Sequence, residues 1–302
     1  MNQADIYVIS PAGAVLDSTR LTDGLAALEM LGFHAIADCA ALSRDTRFAG
    51  SDSTRVAAFG RAARHKAPIV MISRGGYGLT RILHRLDFEK LADAQKHWVG
   101  FSDFTAFSLA MLARANAGTW AGPAVLELGK LAAGAPDWHE DTTAASFVEA
   151  MRGQTEGLGF AYEGPRNIEA EGVLWGGTLA IVTGLLGTPY FPTISGGLLF
   201  LEDVGEHPYR LERMFCQLLD SGVIDRQAAV LLGNFSDYRL GPLDGGFDFA
   251  DVVKFVRSRT STPIITGLPF GHAGEKLTLP HGARLGLATD ADTAWLVFPQ
   301  QH

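Results

Sequence analysis

The sequence is poor in cysteine: only Cys39 and Cys216 occur in 302 residues, far apart and each inside an apolar pattern. That count excludes a disulfide framework and leaves buried free thiols in a reducing compartment as the expectation. Positive charge is short as well. Twenty-five Lys and Arg face 33 Asp and Glu, a formal net charge of −8, whereas a nucleic-acid partner requires clustered basic side chains against its phosphates. No apolar run approaches the ~18 residues of a membrane span. The first residues, Met1 to Asp5, carry no basic start of a signal segment. Internal repeats are absent, and so is an H-E-x-x-H helix with its metal chemistry. The expectation is a soluble cytoplasmic protein without metal or cofactor, binding neither nucleic acid nor membrane.

What is present is a large core. At 47% hydrophobic and 19% charged residues the chain is globular, and its length makes two domains the default. The first half alternates in period. Ile6–Ser10 is β-rich, Leu25, Leu28 and Leu31 mark a helix, Phe33–Ile36 resumes a strand, Ser53–Lys66 is helical, and Pro68–Ser73 is a fully apolar strand. The order β-α-β-α-β predicts an α/β fold with an open, mostly parallel sheet and helices on both faces. The pattern weakens between Ala132 and Arg166, so residues 1–131 are read as the N-terminal domain, 132–168 as a linker region and 169–302 as a second, smaller, β-rich α/β domain. Strands are expected there at Glu171–Gly177, Gly196–Asp203, Ala228–Leu232, Pro263–Phe270, Leu277–Pro280 and Ala294–Phe298.

Three stretches place a reactive side chain at the end of a short apolar strand, flanked by Gly or Pro. In Trp98-Val99-Gly100-Phe101-Ser102-Asp103 the strand stops at a hydroxyl, and Phe104, Phe107 and Met111 begin a helical stripe. Ser102 is either an exposed nucleophile on a sharp strand-to-helix turn or an ordinary helix N-cap. Leu198 to Leu201 run into Glu202 and Asp203, and Pro269-Phe270-Gly271 leads to His272. Serine needs a base and the base an orienting carboxylate, so these three types permit a Ser-Glu-His triad, with His207 and His281 open as alternative bases. Glu202, Asp203, Glu206 and His207 also have a spacing that could reach a metal ion, which would make the protein a metal hydrolase. One β unit before Ser102, Arg74-Gly75-Gly76-Tyr77-Gly78 closes another strand. Its glycines suit backbone donation to an oxyanion or a structural turn, while its spacing matches neither common phosphate loop. Leu79, Ile82 and Leu83 then predict a helix.

In this order and spacing the motifs resemble the LD-carboxypeptidases of the serine peptidase S66 type. The resemblance runs from Ser10-Pro11 through Arg74–Gly78, Gly100–Thr105, Trp175-Gly176-Gly177-Thr178, Gly187–Tyr190, Leu201–Glu206 and Tyr209–Arg213 to Gly267–His272. It implies Ser102 as nucleophile, Glu202 as triad carboxylate and His272 as base. Backbone N–H groups of Gly76 and Asp103 would form the oxyanion hole, and Arg74, Gly75, Trp175 and Gly176 would meet the substrate. It further implies a site in the cleft between two domains, a homodimer, and a role in peptidoglycan recycling that releases terminal D-Ala from a murein tetrapeptide. Two readings compete with it. One is a microcin-immunity-type peptidase cutting a peptidyl-nucleotide antibiotic, for which Trp138 could stack the base; the other is a non-enzymatic muropeptide-binding protein.

Overall fold

In the computed structural model residues 4–132 and 137–298 are described; Met1–Gln3 and residues 133–136 of the expected linker lie outside them. The elements in chain order are β1 (Ala4–Ile9), α1 (Ser18–Met30), β2 (Phe33–Ala37), α2 (Asp52–Arg64), β3 (Ile69–Ile72), α3 (Phe88–Asp93), β4 (His97–Gly100), α4 (Thr105–Ala115), β5 (Thr119–Ala121), α5 (Val125–Ala132) and α6 (Thr142–Met151). They continue with β6 (Gly157–Ala161), β7 (Glu169–Thr178), α7 (Leu179–Leu185), β8 (Leu198–Val204), α8 (Pro208–Asp220), β9 (Ala229–Ser236), α9 (Phe249–Arg259), β10 (Ile264–Thr266), β11 (Leu279–His281), β12 (Arg284–Thr289) and β13 (Thr293–Val297). Two compact units result. The first is Met1–Gln154 with Pro189–Pro192 and Lys276–Pro280, and the second takes the remainder.

The first unit is built on a sheet of order β11-β5-β4-β3-β1-β2. The pairs β1–β2, β1–β3, β3–β4 and β4–β5 are all parallel. Parallel strands buried on both faces must be apolar throughout, and Ile69–Ile72 is buried at every position. Helices pack on the sheet through Leu28, Leu128 and Phe147 against Ile6, Val8, Met71 and Val99. Strand order reverses between β1 and β3, and open α/β sheets form a ligand crevice at the carboxyl ends of such strands. The loops after β1 and β3 meet there, Gly13 N donating to Gly75 O at 3.3 Å.

Two expectations are corrected in this unit. Leu79, Ile82 and Leu83 are buried, but they form a turn and a 3-10 segment, Leu83–Arg85, not an α-helix. Distant groups take the backbone of the turn: Asp103 Oδ2 accepts from Leu79 N at 2.7 Å and Arg55 Nη1 donates to Gly78 O at 2.7 Å. The Leu277–Pro280 stretch forms only the short β11, which lies beside β5 in this sheet and not with the other late strands.

The second unit has a mixed sheet, β10-β9-β8-β7-β12-β13-β6. Strands β7 to β10 pair in parallel, and the sheet continues antiparallel from β7 to β12, from β12 to β13 and from β13 to β6. Leu198–Leu201 and Val230–Leu232 are fully buried at its centre. The stretch expected as linker contributes α6 to the first unit and β6 to the second. Both cysteines are free, but Cys39 is exposed and Cys216 half-buried, so the expectation of buried thiols does not hold. Among the described residues no helix is long and apolar enough to cross a membrane.

Candidate active site

Ser102 lies where β4 gives way to a 3-10 turn, Ser102–Phe104, that runs directly into α4. Neither the turn nor α4 has a side-chain cap, so Ser102 is not the N-cap that its sequence context allowed. Its φ is +63°. For a residue with a Cβ this left-handed backbone costs roughly 1–2 kcal/mol, and it persists because the surroundings fix it. Behind the turn Phe107 packs on Phe59 at 4.8 Å, Phe104 at 5.0 Å and Trp98 at 5.4 Å between ring centroids. Asp103, 4% exposed, anchors the loop after β3 through Leu79 N. Burial pushes its carboxyl up to about 6, against the opposing bonds from Leu79 and Gly78.

The glycine loop is fitted to the serine. A Cβ on Gly75 would come within 2.8 Å of Ser102 Cβ and 2.9 Å of its Oγ, so only glycine lets the loop lie against the hydroxyl. Gly76 follows at φ +92°. Arg74 donates from Nη1 to Ala14 O at 3.1 Å. On the other flank Phe101 carries Lys276 Nζ over its ring, 3.0 Å from the centroid. That ammonium, on a residue 2% exposed, pairs with Glu127 at 2.7 Å. No sequence pattern announces this pair, because the partners are 149 positions apart.

In the second unit Glu202 sits near the end of β8 and is fully buried. Its Oε2 lies 2.7 Å from His272 Nδ1, and its Oε1 accepts from Thr178 Oγ1 at 2.6 Å. A buried carboxylate requires such partners. Together they fix its plane and, through it, the imidazole. His272 follows Gly271 in the loop after β10. Asn234 clasps that loop, its N donating to Phe270 O at 2.8 Å and its Nδ2 to Ala273 O at 2.7 Å. Gly233 makes the close approach feasible, since a Cβ there would meet Phe270 O at 2.2 Å. Neither the Thr178 bond nor the Asn234 clasp was read from sequence.

The neighbouring carboxylate serves another purpose. Asp203 accepts from Ala180 N and Val204 N, each at 2.8 Å, tying the start of α7 to β8. Burial pushes it up to about 6, with Glu202 and Glu206 adding to the rise. The four groups that could have met at a metal have separate partners: Glu206 pairs with Arg210 and His207 with Asp244. His281 is buried, accepts from Gly176 N at 3.3 Å and is pushed down to about 4 by desolvation. Trp175 and Gly176, expected to meet substrate, are packing residues. Trp175 is 1% exposed with its indole on Gln227, and a Cβ on Gly176 would strike Phe200 O at 2.0 Å.

A hydroxyl held on strained backbone at a strand end, and a buried carboxylate–imidazole pair, are the working groups of serine hydrolases. Comparison with known proteins narrows the class. Residues 6–122 match the model of the LD-carboxypeptidase N-terminal domain, and residues 171–287 that of the C-terminal domain. The crystal structure of a muramoyltetrapeptide carboxypeptidase from Oxalobacter formigenes is 38% identical, with a TM-score of 0.85 over 98% of this chain and 100% of that one. The murein tetrapeptide carboxypeptidase of Pseudomonas aeruginosa is 32% identical over 217 residues, 69% of this chain and 68% of its own length. The microcin C7 self-immunity protein MccF of Escherichia coli is 24% identical, covering 93% of this chain and 89% of that protein. The chain belongs to the LD-carboxypeptidase family, whose members are serine-type peptidases.

Proposed function

We propose that this protein hydrolyses the bond to the terminal D-Ala of a murein tetrapeptide, L-Ala-γ-D-Glu-meso-diaminopimelate-D-Ala, through a Ser102–Glu202–His272 triad. The observation that carries the reading is the 2.7 Å pair between His272 Nδ1 and buried Glu202. With Nδ1 committed to the carboxylate, Nε2 is the nitrogen that works as base. His272 Nε2 takes the proton of Ser102 as Oγ attacks the carbonyl, and Glu202 stabilises the imidazolium. Backbone N–H groups of Gly76 and Asp103 bind the oxyanion, with Arg74 and Gly75 on the substrate. The imidazolium then protonates the departing D-Ala nitrogen. Water, deprotonated by the same nitrogen, releases the tripeptide from the acyl-enzyme. The mechanism calls for no metal or cofactor. The names of the Oxalobacter and Pseudomonas relatives favour a muropeptide over the peptidyl-nucleotide substrate of the microcin-immunity reading. The reading includes a cytoplasmic homodimer acting in peptidoglycan recycling.

Mass spectrometry of murein tetrapeptide incubated with the wild type and with Ser102→Ala tests it. The wild type should yield tripeptide and D-Ala, and Ser102→Ala should lose several orders of magnitude in kcat. Equal release by the two proteins would refute the nucleophile.

A further inference from the structure

Beside Gly76, within the first unit, opens a pocket of about 350 Å³ that three guanidiniums enter from two loops. Arg44 and Arg47 come from the segment between β2 and α2, and Arg74 from the loop after β3. Backbone bonds stitch these loops together: Ala14 N donates to Arg47 O at 3.0 Å and Gly13 N to Gly75 O at 3.3 Å. Between the two arginines Thr46 adopts φ +55°, and its carbonyl accepts from Arg44 Nε at 3.3 Å. Arg47 leans over the Tyr77 ring, its Cζ 5.6 Å from the centroid. Among the described residues no carboxylate lines the pocket. In the same unit Arg55, Arg61 and Arg81 are each paired with an aspartate, while Arg64 and Arg85 share a cavity lined also by Asp87 and Asp93. Among the described residues Arg44, Arg47 and Arg74 form no such pair, in a chain where acids outnumber bases. Three unmatched cations converging on one cavity define a site for an anion.

We propose that this pocket is the subsite for the free C-terminal carboxylate of the departing residue, read by Arg74 with Arg44 and Arg47. The inference rests on the carboxypeptidase reading above and assigns the part of the site that makes the enzyme an exopeptidase. A terminal carboxylate lies one residue from the scissile carbonyl, about 3.5 Å of chain, so its reader must adjoin the oxyanion loop. The structure meets that requirement. Gly75 lies against Ser102 Oγ, and Arg74 Nη2 would be only 3.4 Å from a Cβ on Gly76. A guanidinium offers the planar fork that fits a carboxylate bidentately. Tyr77, 48% exposed, gives an apolar wall for a small side chain.

The test compares murein tetrapeptide with its C-terminal amide as substrates for the wild type, the Arg44→Gln/Arg47→Gln double variant and the Arg44→Lys/Arg47→Lys variant. The side chains of Arg44 and Arg47 are exposed, so the variants should fold, which their melting temperatures check. The wild type should prefer the acid. The Gln variant should raise KM for the acid by roughly tenfold or more, the scale of a charge-assisted contact. It should lose at least ten times less on the amide, and the Lys variant should recover part of the preference. A wild type that cleaves both equally, or a Gln variant with unchanged acid-over-amide preference, overturns the subsite while the carboxypeptidase reading stands. A wild type that releases neither D-Ala from the acid nor D-alaninamide from the amide overturns both.

Discussion

Ser102 carries the tension between stability and chemistry in a single dihedral angle. At φ +63° its Cβ is a liability to the fold, yet that backbone puts the hydroxyl at the end of β4. Comparing Ser102→Gly with Ser102→Ala isolates the strain, since both remove the hydroxyl and only Ala keeps the Cβ. The Gly variant should melt roughly 2–4 °C above the Ala variant, the equivalent of about 1 kcal/mol for a domain of this size. Equal or lower melting by calorimetry would show that the angle is unstrained. Ser102, Glu202 and His272 stood out in the sequence as reactive types following short apolar runs, and of these the structure pairs Glu202 with His272 at 2.7 Å. Thr178 and Asn234 did not stand out, because their partners lie 24 and 39 positions away and neither type announces a partner.

At the scale of the element, β8 decides which of two adjacent carboxylates faces the histidine. Successive side chains of a strand point to opposite faces, so Glu202 meets His272 and Thr178 while Asp203 meets the start of α7. Replacing Glu202 with Gln should lower kcat by roughly 10³- to 10⁴-fold, the cost of misorienting the base. Asp203→Asn should stay within about tenfold of the wild type. The reverse ranking in steady-state kinetics would assign the orienting role to Asp203. Periodicity exposed most strands and helices, because a parallel sheet demands apolar strands wherever it is covered. It failed at Leu79–Leu83, where a helical spacing is overridden by Asp103 and Arg55, which take the backbone groups of the turn.

On the scale of the whole molecule, each unit buries an aspartate whose carboxyl is pushed up to about 6 by desolvation, Asp103 in one and Asp203 in the other. A carboxyl with a folded-state value above its unfolded one favours the native state while protonated. That contribution is complete below about 4 and is lost as the pH rises through 6, reaching roughly 3 kcal/mol for Asp103. Asp103→Asn keeps an acceptor for Leu79 N without the ionisation. Its melting temperature relative to the wild type should therefore climb between pH 4 and 6 and level off above. A difference that is flat across that range would show that Asp103 ionises normally.

Two short segments, Pro189–Pro192 and Lys276–Pro280, belong with the first unit although the chain on either side of them belongs to the second. A fragment ending at Gln154 would therefore lack Lys276, the counter-charge of Glu127, and would leave β5 without β11 at its edge, an open invitation to pair with another chain. No single peptide bond separates the unit that carries Ser102 from the unit that carries Glu202 and His272. For recombination, natural or engineered, a crossover in the middle of the gene keeps the late segment matched to the early one only when both parents carry compatible partners at these contacts. The two units therefore have to be swapped as one piece.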